Sequence, residues 1–167
     1  RIFKNLKGTS LENMLSLFGG IPAIPYLHDF FCQLKARNFK IALISSGIPT
    51  MIVEKLSTAL GADYAFGVEV VTVDDKLTGE ISGDAITRNG KLKILNEILK
   101  KESLLPSDCV VVADDRNNRC IFLPEALKIG YNPDFVLRVK ADRVVNGKLS
   151  GILPIIDGKK HKGSLPS

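Results

Sequence analysis

Three groups of residues in this 167-residue chain have types and spacings that could do chemistry. Ser45-Ser46-Gly47 follows the apolar run 39–44 and precedes a proline-started helical pattern. A hydroxyl and glycine N–H groups at the start of a helix can hold an anion, because free backbone donors and the helix dipole both favour negative charge there. Asp114-Asp115-Arg116-Asn117-Asn118 follows Cys109-Val110-Val111-Val112-Ala113. Clustered side-chain oxygens at the end of such a run suit Mg²⁺, which takes one or two carboxylates and completes its shell with water and substrate oxygens. Lys91 opens a third apolar-periodic segment, where a cation opposes the helix dipole. Capping, a solvated loop and a chance surface lysine are the plainer explanations of the three groups taken singly.

The elements that would position these residues alternate. Residues 22–37 repeat Leu27, Phe30, Phe31 and Leu34 at helical spacing, with Pro22 or Pro25 at the start and Asn38 as a left-handed stop. A strand over 39–44 follows, then a sharp turn at 45–47. The next helix has Pro49 in its first turn, Ile52, Leu56 and Leu60 on one face, and Gly61 beyond its end. Two β-rich runs, 68–73 and 76–81, flank Asp74-Asp75 and predict a hairpin. A helix over 90–101 leads to a strand at 109–113 expected to be buried on both faces, a helix over about 118–127 shortened by Pro124, a strand at 128–131 and an edge strand at Val144-Val145. Strand–loop–helix repetition of this kind predicts an α/β fold, a Rossmann-like parallel sheet with helices on both faces. In such sheets ligands bind at the carboxyl ends of the strands, where Ser46 and Asp114 stand.

Composition excludes several classes. Hydrophobic residues make up 45% and charged residues 25%, the balance of a globular domain. No apolar run reaches the ~20 residues of a membrane span. The net charge of +5 comes from dispersed lysines, and the 7% of aromatic residues are not interleaved with them, so nucleic acid is not expected as a partner. The dense cluster Lys159-Lys160-His161-Lys162 reads as part of a solvated basic tail or linker over 157–167, the one feature through which a membrane surface could attract the chain. Cys32, Cys109 and Cys120 are far apart and lack metal-ligand spacing, which suits small buried side chains in a reducing cytoplasm.

In order, these segments resemble motifs II, III and IV of the haloacid dehalogenase superfamily, and they look most like the phosphoserine phosphatases within it. The likeness extends through Leu60-Gly61-Ala62-Asp63-Tyr64-Ala65-Phe66, Asp75-Lys76-Leu77-Thr78-Gly79, the run 126–132 and Lys140-Ala141-Asp142. It implies a core domain over 22–156 with a small hairpin insertion at about 67–82, preceded over 1–21 by the end of a helical cap. It further implies that Ser46 is catalytic and hydrogen-bonds the transferring phosphoryl group. The Gly47 N–H and Asn117 would bind phosphate, Lys91 would neutralise both the nucleophile and the phosphoryl oxygens, and Asp114 with Asn118 would hold Mg²⁺. Three positions depart from the family's pattern: Ile48 replaces the second glycine of the turn, Asp115 replaces the glycine that follows the metal-binding aspartate in Gly-Asp-Gly-x-Asn-Asp, and Asn118 replaces its last acid.

The superfamily's motif I, Asp-x-Asp-x-Thr/Val, supplies the nucleophile, and this sequence contains no match. His28-Asp29-Phe30 falls in a helix, Asp74-Asp75 in a hairpin turn, and Asp114-Asp115 is already motif IV. The expectation is therefore a Mg²⁺-dependent phosphomonoester hydrolase acting on a small phosphorylated substrate through an aspartyl-phosphate. An upstream segment or partner chain would complete the sheet and supply the nucleophile, and this chain alone would be inactive. The alternative is an inactive phosphate-binding or regulatory module of the same fold.

Overall fold

A computed structural model describes residues 2–19 and 24–163. The chain divides into two compact units, residues 1–90 and 91–167.

The first unit begins with helices α1 (Ile2–Asn5) and α2 (Leu11–Gly19), followed by α3 (Leu27–Ala36). Of the helix expected over 22–37, residues 22 and 23 lie outside the described residues. The stop expected at Asn38 is present, with φ of +61°. Strand β1 (Ala42–Pro49), helix α4 (Thr50–Leu60) and strands β2 (Tyr64–Val73) and β3 (Lys76–Ser82) complete the unit in the order β1-β2-β3. Strand β2 works in two modes. Its first residues pair parallel with β1, and its later ones pair antiparallel with β3. The hairpin turn is Asp74-Asp75, with φ of +48° and +58°, the left-handed pair that matches the twist of two strands joined by a two-residue loop. Phe3 and Met14 from α1 and α2 are buried with Val68 and Leu77 of the hairpin strands, so the N-terminal helices are anchored on that sheet.

Helix α4 buries Val53, Ser57 and Leu60, whereas the expected face was Ile52, Leu56 and Leu60. Ser57 occupies the buried face because its hydroxyl donates to the Ala62 carbonyl at 3.1 Å while the Ala62 N–H returns to the Ser57 carbonyl at 2.9 Å. The pair closes the helix C-terminus around Gly61, whose φ is +68°.

The second unit contains α5 (Gly90–Lys101), β4 (Val110–Ala113), β5 (Leu127–Tyr131), α6 (Phe135–Lys140), β6 (Arg143–Val145) and α7 (Leu153–Gly163). The strands are all parallel, in the order β4-β5-β6. Leu95 and Leu99 of α5 form a core with Val111, Ile121 and Ala126. Strand β4 was expected to be buried on both faces. It is buried on one, because successive side chains alternate: Val111 and Ala113 are buried while Val112 is 42% exposed.

Residues 118–127 do not form the expected helix. A six-residue 3₁₀ turn, Arg116–Ile121, replaces it. Asp115 caps that turn by accepting from the Asn117 N–H, and Pro124 denies the chain an α-helical continuation. Helix α6 was not expected: its sequence Phe-Val-Leu-Arg-Val-Lys has no apolar stripe beyond the buried Leu137, and Asp134 nucleates it by capping the Leu137 N–H. Helix α7 continues to Gly163, through residues expected to form a tail. Among the described residues no helix is long and apolar enough to cross a membrane.

Candidate active site

The turn expected to bind an anion is built inside β1 and not after it. Ile44 pairs with Phe66 and Pro49 with Val68, so Ser45, Ser46, Gly47 and Ile48 stand opposite Gly67 alone. The extra residues bulge outward at the end of the regular ladder. The Ser45 hydroxyl holds the bulge closed, accepting the Gly47 N–H at 3.2 Å and the Ile48 N–H at 3.1 Å. Ser45 thus does the structural work, which leaves the Ser46 hydroxyl for a ligand. Ile48, the first departure from the family pattern, donates its N–H to Ser45 and sets its carbonyl against Gly67.

Gly67 is the residue that sequence reading missed here. A Cβ on it would lie 2.6 Å from the Ile48 oxygen and from both N and Cα of Thr50. The bulge packs directly on this backbone, a requirement invisible in a run that reads only as strand. Opposite behaviour is found at Gly47, where a Cβ would meet nothing within 4 Å. Its N–H is already engaged by the Ser45 hydroxyl.

In the second unit Lys91, Asp114, Asp115, Asn117 and Asn118 come together. Lys91 is only 7% exposed at the start of α5, and its ammonium donates to Asn118 Oδ1 at 2.6 Å. Burial lowers the pKa of Lys91 from its ordinary 10.5, and the nearby Asp115, Cys120 and Asp114 partly offset that loss. A buried cation whose main partner is a neutral amide can still attract an anion.

Asp115 organises the rest of the loop. Its carboxylate accepts from the Asn117 N–H at 3.0 Å, Asn117 Nδ2 at 2.8 Å and Asn118 Nδ2 at 2.9 Å. The same Asn118 amide approaches Asp114 Oδ1 at 3.4 Å. Asn117, expected to reach phosphate, therefore has its side-chain donor on Asp115. Asp114 is exposed at the end of β4.

This donor set fits part of a Mg²⁺ shell. Asp114 offers one weakly engaged carboxylate, and Asn118 offers an amide oxygen now turned to Lys91. Among the described residues no three acidic, histidine or cysteine side chains form a metal-holding group. An ion here would draw the remaining oxygens from water and phosphate, as Mg²⁺ commonly does.

A family model described as haloacid dehalogenase-like hydrolase matches residues 16–117, a span containing Ser46, Lys91, Asp114 and Asn117. The chain belongs to that family. It is 36% identical over 137 residues to a phosphoserine phosphatase of Methanocaldococcus jannaschii, covering 82% of this chain and 64% of that protein. A phosphoserine phosphatase of Archaeoglobus fulgidus is 33% identical over 137 residues, covering 82% of this chain and 40% of its own length. The chain therefore spans less than two thirds of either relative. A solved structure described as a phospho-aspartyl intermediate analogue of phosphoserine phosphatase superposes with a TM-score of 0.86 at 31% identity, over 92% of this chain and 73% of that one. The α/β, Rossmann-like reading of the sequence and its likeness to phosphoserine phosphatases both hold.

Proposed function

We propose that the protein containing this chain is a Mg²⁺-dependent phosphomonoester hydrolase of the phosphoserine phosphatase type, cytoplasmic, acting on a small phosphorylated substrate. The observation that carries the reading is the buried Lys91 ammonium, set beside Asp114 and Asn118 at the end of a parallel strand in a chain of this family.

In this reading the Ser46 hydroxyl, Asn117 and Lys91 bind the phosphoryl oxygens, and the Gly47 N–H exchanges its bond to the Ser45 hydroxyl for one to phosphate. Lys91 also neutralises the attacking carboxylate, and Asp114 with Asn118 holds Mg²⁺, which supplies further charge neutralisation. Catalysis of this type is mostly positioning and charge stabilisation. An aspartate carried by a segment outside this chain attacks phosphorus as the P–O bond to the alcohol breaks. A second acid gives the leaving oxygen its proton, and water then releases phosphate from the aspartyl-phosphate. Support for such a segment comes from the sheets. β1 and β4, which end in the Ser46 bulge and in Asp114, are edge strands in the orders β1-β2-β3 and β4-β5-β6. Among the described residues neither pairs with a strand on its other side. Residues 1–21 then form the end of a helical cap, 22–156 the core with its hairpin insertion at about 67–82, and 157–167 a basic terminal segment.

The test is turnover of phosphoserine and of p-nitrophenyl phosphate by the full-length protein with Mg²⁺. Lys91→Ala and Asp114→Ala are each expected to lower kcat/KM by about 100-fold or more, as loss of a charge-stabilising group does. Full activity in both variants would remove the residue assignment. A second reading, a phosphate-binding module without turnover, is favoured by Ile48, by Asn118 in place of an acid and by Asp115 occupying Asn117. It predicts phosphate binding and no hydrolysis.

A further inference from the structure

Asp134 belongs to none of the segments that suggest chemistry, yet it is the most connected residue around the Asp114 loop. It lies just beyond β5 and starts α6. Its N–H donates to the Asp114 carbonyl at 2.7 Å. One carboxylate oxygen, Oδ2, accepts both the Arg116 backbone N–H at 3.1 Å and Arg116 Nε at 2.9 Å. The other, Oδ1, caps α6 through the Leu137 N–H at 2.9 Å. The first N–H of a helical turn has no partner within the turn. In the turn Arg116–Ile121, Asp134 satisfies that of Arg116 while Asp115 satisfies that of Asn117.

We propose that Asp134 is a positioning residue that fixes the Asp114–Asn118 loop from behind, through Arg116 and the Asp114 carbonyl. Asp114 is held by its carbonyl, which fixes the backbone from which the carboxylate projects at the end of β4. Arg116 is gripped at both backbone and guanidinium, so the peptide between Asp115 and Asn117 is anchored at its midpoint. Helix α6 contributes a base: Leu137 is fully buried, and the carboxylate that caps α6 is the one that grips Arg116. The loop's orientation is thereby tied to the core of its unit, where hydrogen bonds within the loop alone would let it move as a body. Partners that orient ligand side chains in this way commonly contribute about 10–100-fold to metal affinity or activity. The catalytic consequence rests on the phosphatase reading above; the structural consequence does not.

Two substitutions separate capping from gripping. Asp134→Ser keeps a favoured N-cap hydroxyl for Leu137 but is too short, and has too few oxygens, to hold Arg116 as well. Asp134→Ala loses both. In the full-length protein, amide exchange by NMR is read at Arg116, Asn117 and Leu137, alongside Tm and the kcat and KM for p-nitrophenyl phosphate. The expected result for Asp134→Ser is protection kept at Leu137, a Tm near that of the parent, faster exchange at Arg116 and Asn117, and a kcat lower by about 10–100-fold. A purely structural Asp134 would instead make kcat follow Tm, leaving the serine variant as active as the parent. Unchanged exchange at Arg116 in both variants overturns the proposal, and so does a freely exchanging Arg116 with unchanged kcat. If the parent hydrolyses no phosphomonoester, the phosphatase reading fails by itself while exchange at Arg116 still decides whether Asp134 holds the loop.

Discussion

Replacing Gly67 by alanine tests whether the Ser45–Ile48 bulge is functional. One methyl group would enter a space where the Ile48 oxygen and the N and Cα of Thr50 each lie 2.6 Å from its position. All three are backbone atoms, so no side chain can swing away. Relief to ordinary contact near 3.4 Å requires the bulge or β2 to move by about 0.8 Å. Overpacking of this kind costs about 1–3 kcal/mol. In a chain of this size each kcal/mol lowers Tm by about 2–4 °C. The catalytic loss should be larger in proportion, because a ~1 Å misplacement of positioned groups can cost about 100-fold in rate. The expected outcome is a Tm lower by several degrees and a kcat/KM lower by about 10–100-fold in the full-length protein with p-nitrophenyl phosphate and Mg²⁺. Gly47→Ala supplies the comparison, since its methyl group meets nothing within 4 Å and should leave Tm unchanged. A Gly67→Ala protein with the parent's kcat/KM, despite a lowered Tm, would refute the link between this packing and the site.

Two further outcomes follow from charge. The Asp63 carboxylate accepts from Lys35 Nζ and the Ile41 N–H, both at 2.8 Å. Burial raises its pKa, but Lys35, the Ile41 N–H and Lys40 together outweigh that and hold it below 3.8. A depressed folded-state pKa gives stability that is complete above the unfolded value and is lost as pH falls through the folded one. The stability gap between the parent and Asp63→Asn, measured by urea unfolding, should therefore shrink below pH 3.8 and not above it. At neutral pH Asp63→Ala should cost about 1–3 kcal/mol, because the Ile41 N–H loses its carboxylate. Asn118→Asp would place a third carboxylate beside Asp114 and Asp115 and facing Lys91, so its Tm should rise with Mg²⁺ more steeply than the parent's. Equal Mg²⁺ dependence of Tm in the two proteins would count against Asn118 as a ligand.

The sequence was most legible where a local rule and the fold agree. The Asn38 and Gly61 stops, the Asp74-Asp75 hairpin and the strand before Asp114 each follow from backbone preferences that neighbouring packing supports. Legibility failed where one side chain redirected the backbone. Asp115 caps a 3₁₀ turn after β4 where Pro124 denies an α-helix, and Asp134 caps a short helix in a run whose β-branched content argues against one. The turn expected after 39–44 is instead a bulge carried within β1, because β2 offers Gly67 at the point where the extra residues must fit. None of these depends on periodicity. The bulge depends on Gly67, a partner distant in sequence, while the two caps at Asp115 and Asp134 act locally through single hydrogen bonds that leave no mark on hydrophobic pattern.

The departures from the family's loop also make more sense together than singly. Asn118 removes an acid and Asp115 adds one, so the loop keeps two carboxylates while one of them changes place. That exchange alters what the charge does. An acid at 118 would face Lys91, whereas Asn118 gives Lys91 a neutral oxygen at 2.6 Å. The acid at 115 turns to the loop itself, accepting from Asn117 and Asn118, and still acts on Lys91 through space. Lys91 thus keeps an electrostatic counterweight without a direct ion pair among the described residues, so in the proposed function its ammonium would break no salt bridge on meeting phosphate. In the proposed function the cost falls on Mg²⁺ binding, because Asp114 is the loop's one carboxylate free of strong internal bonds among the described residues.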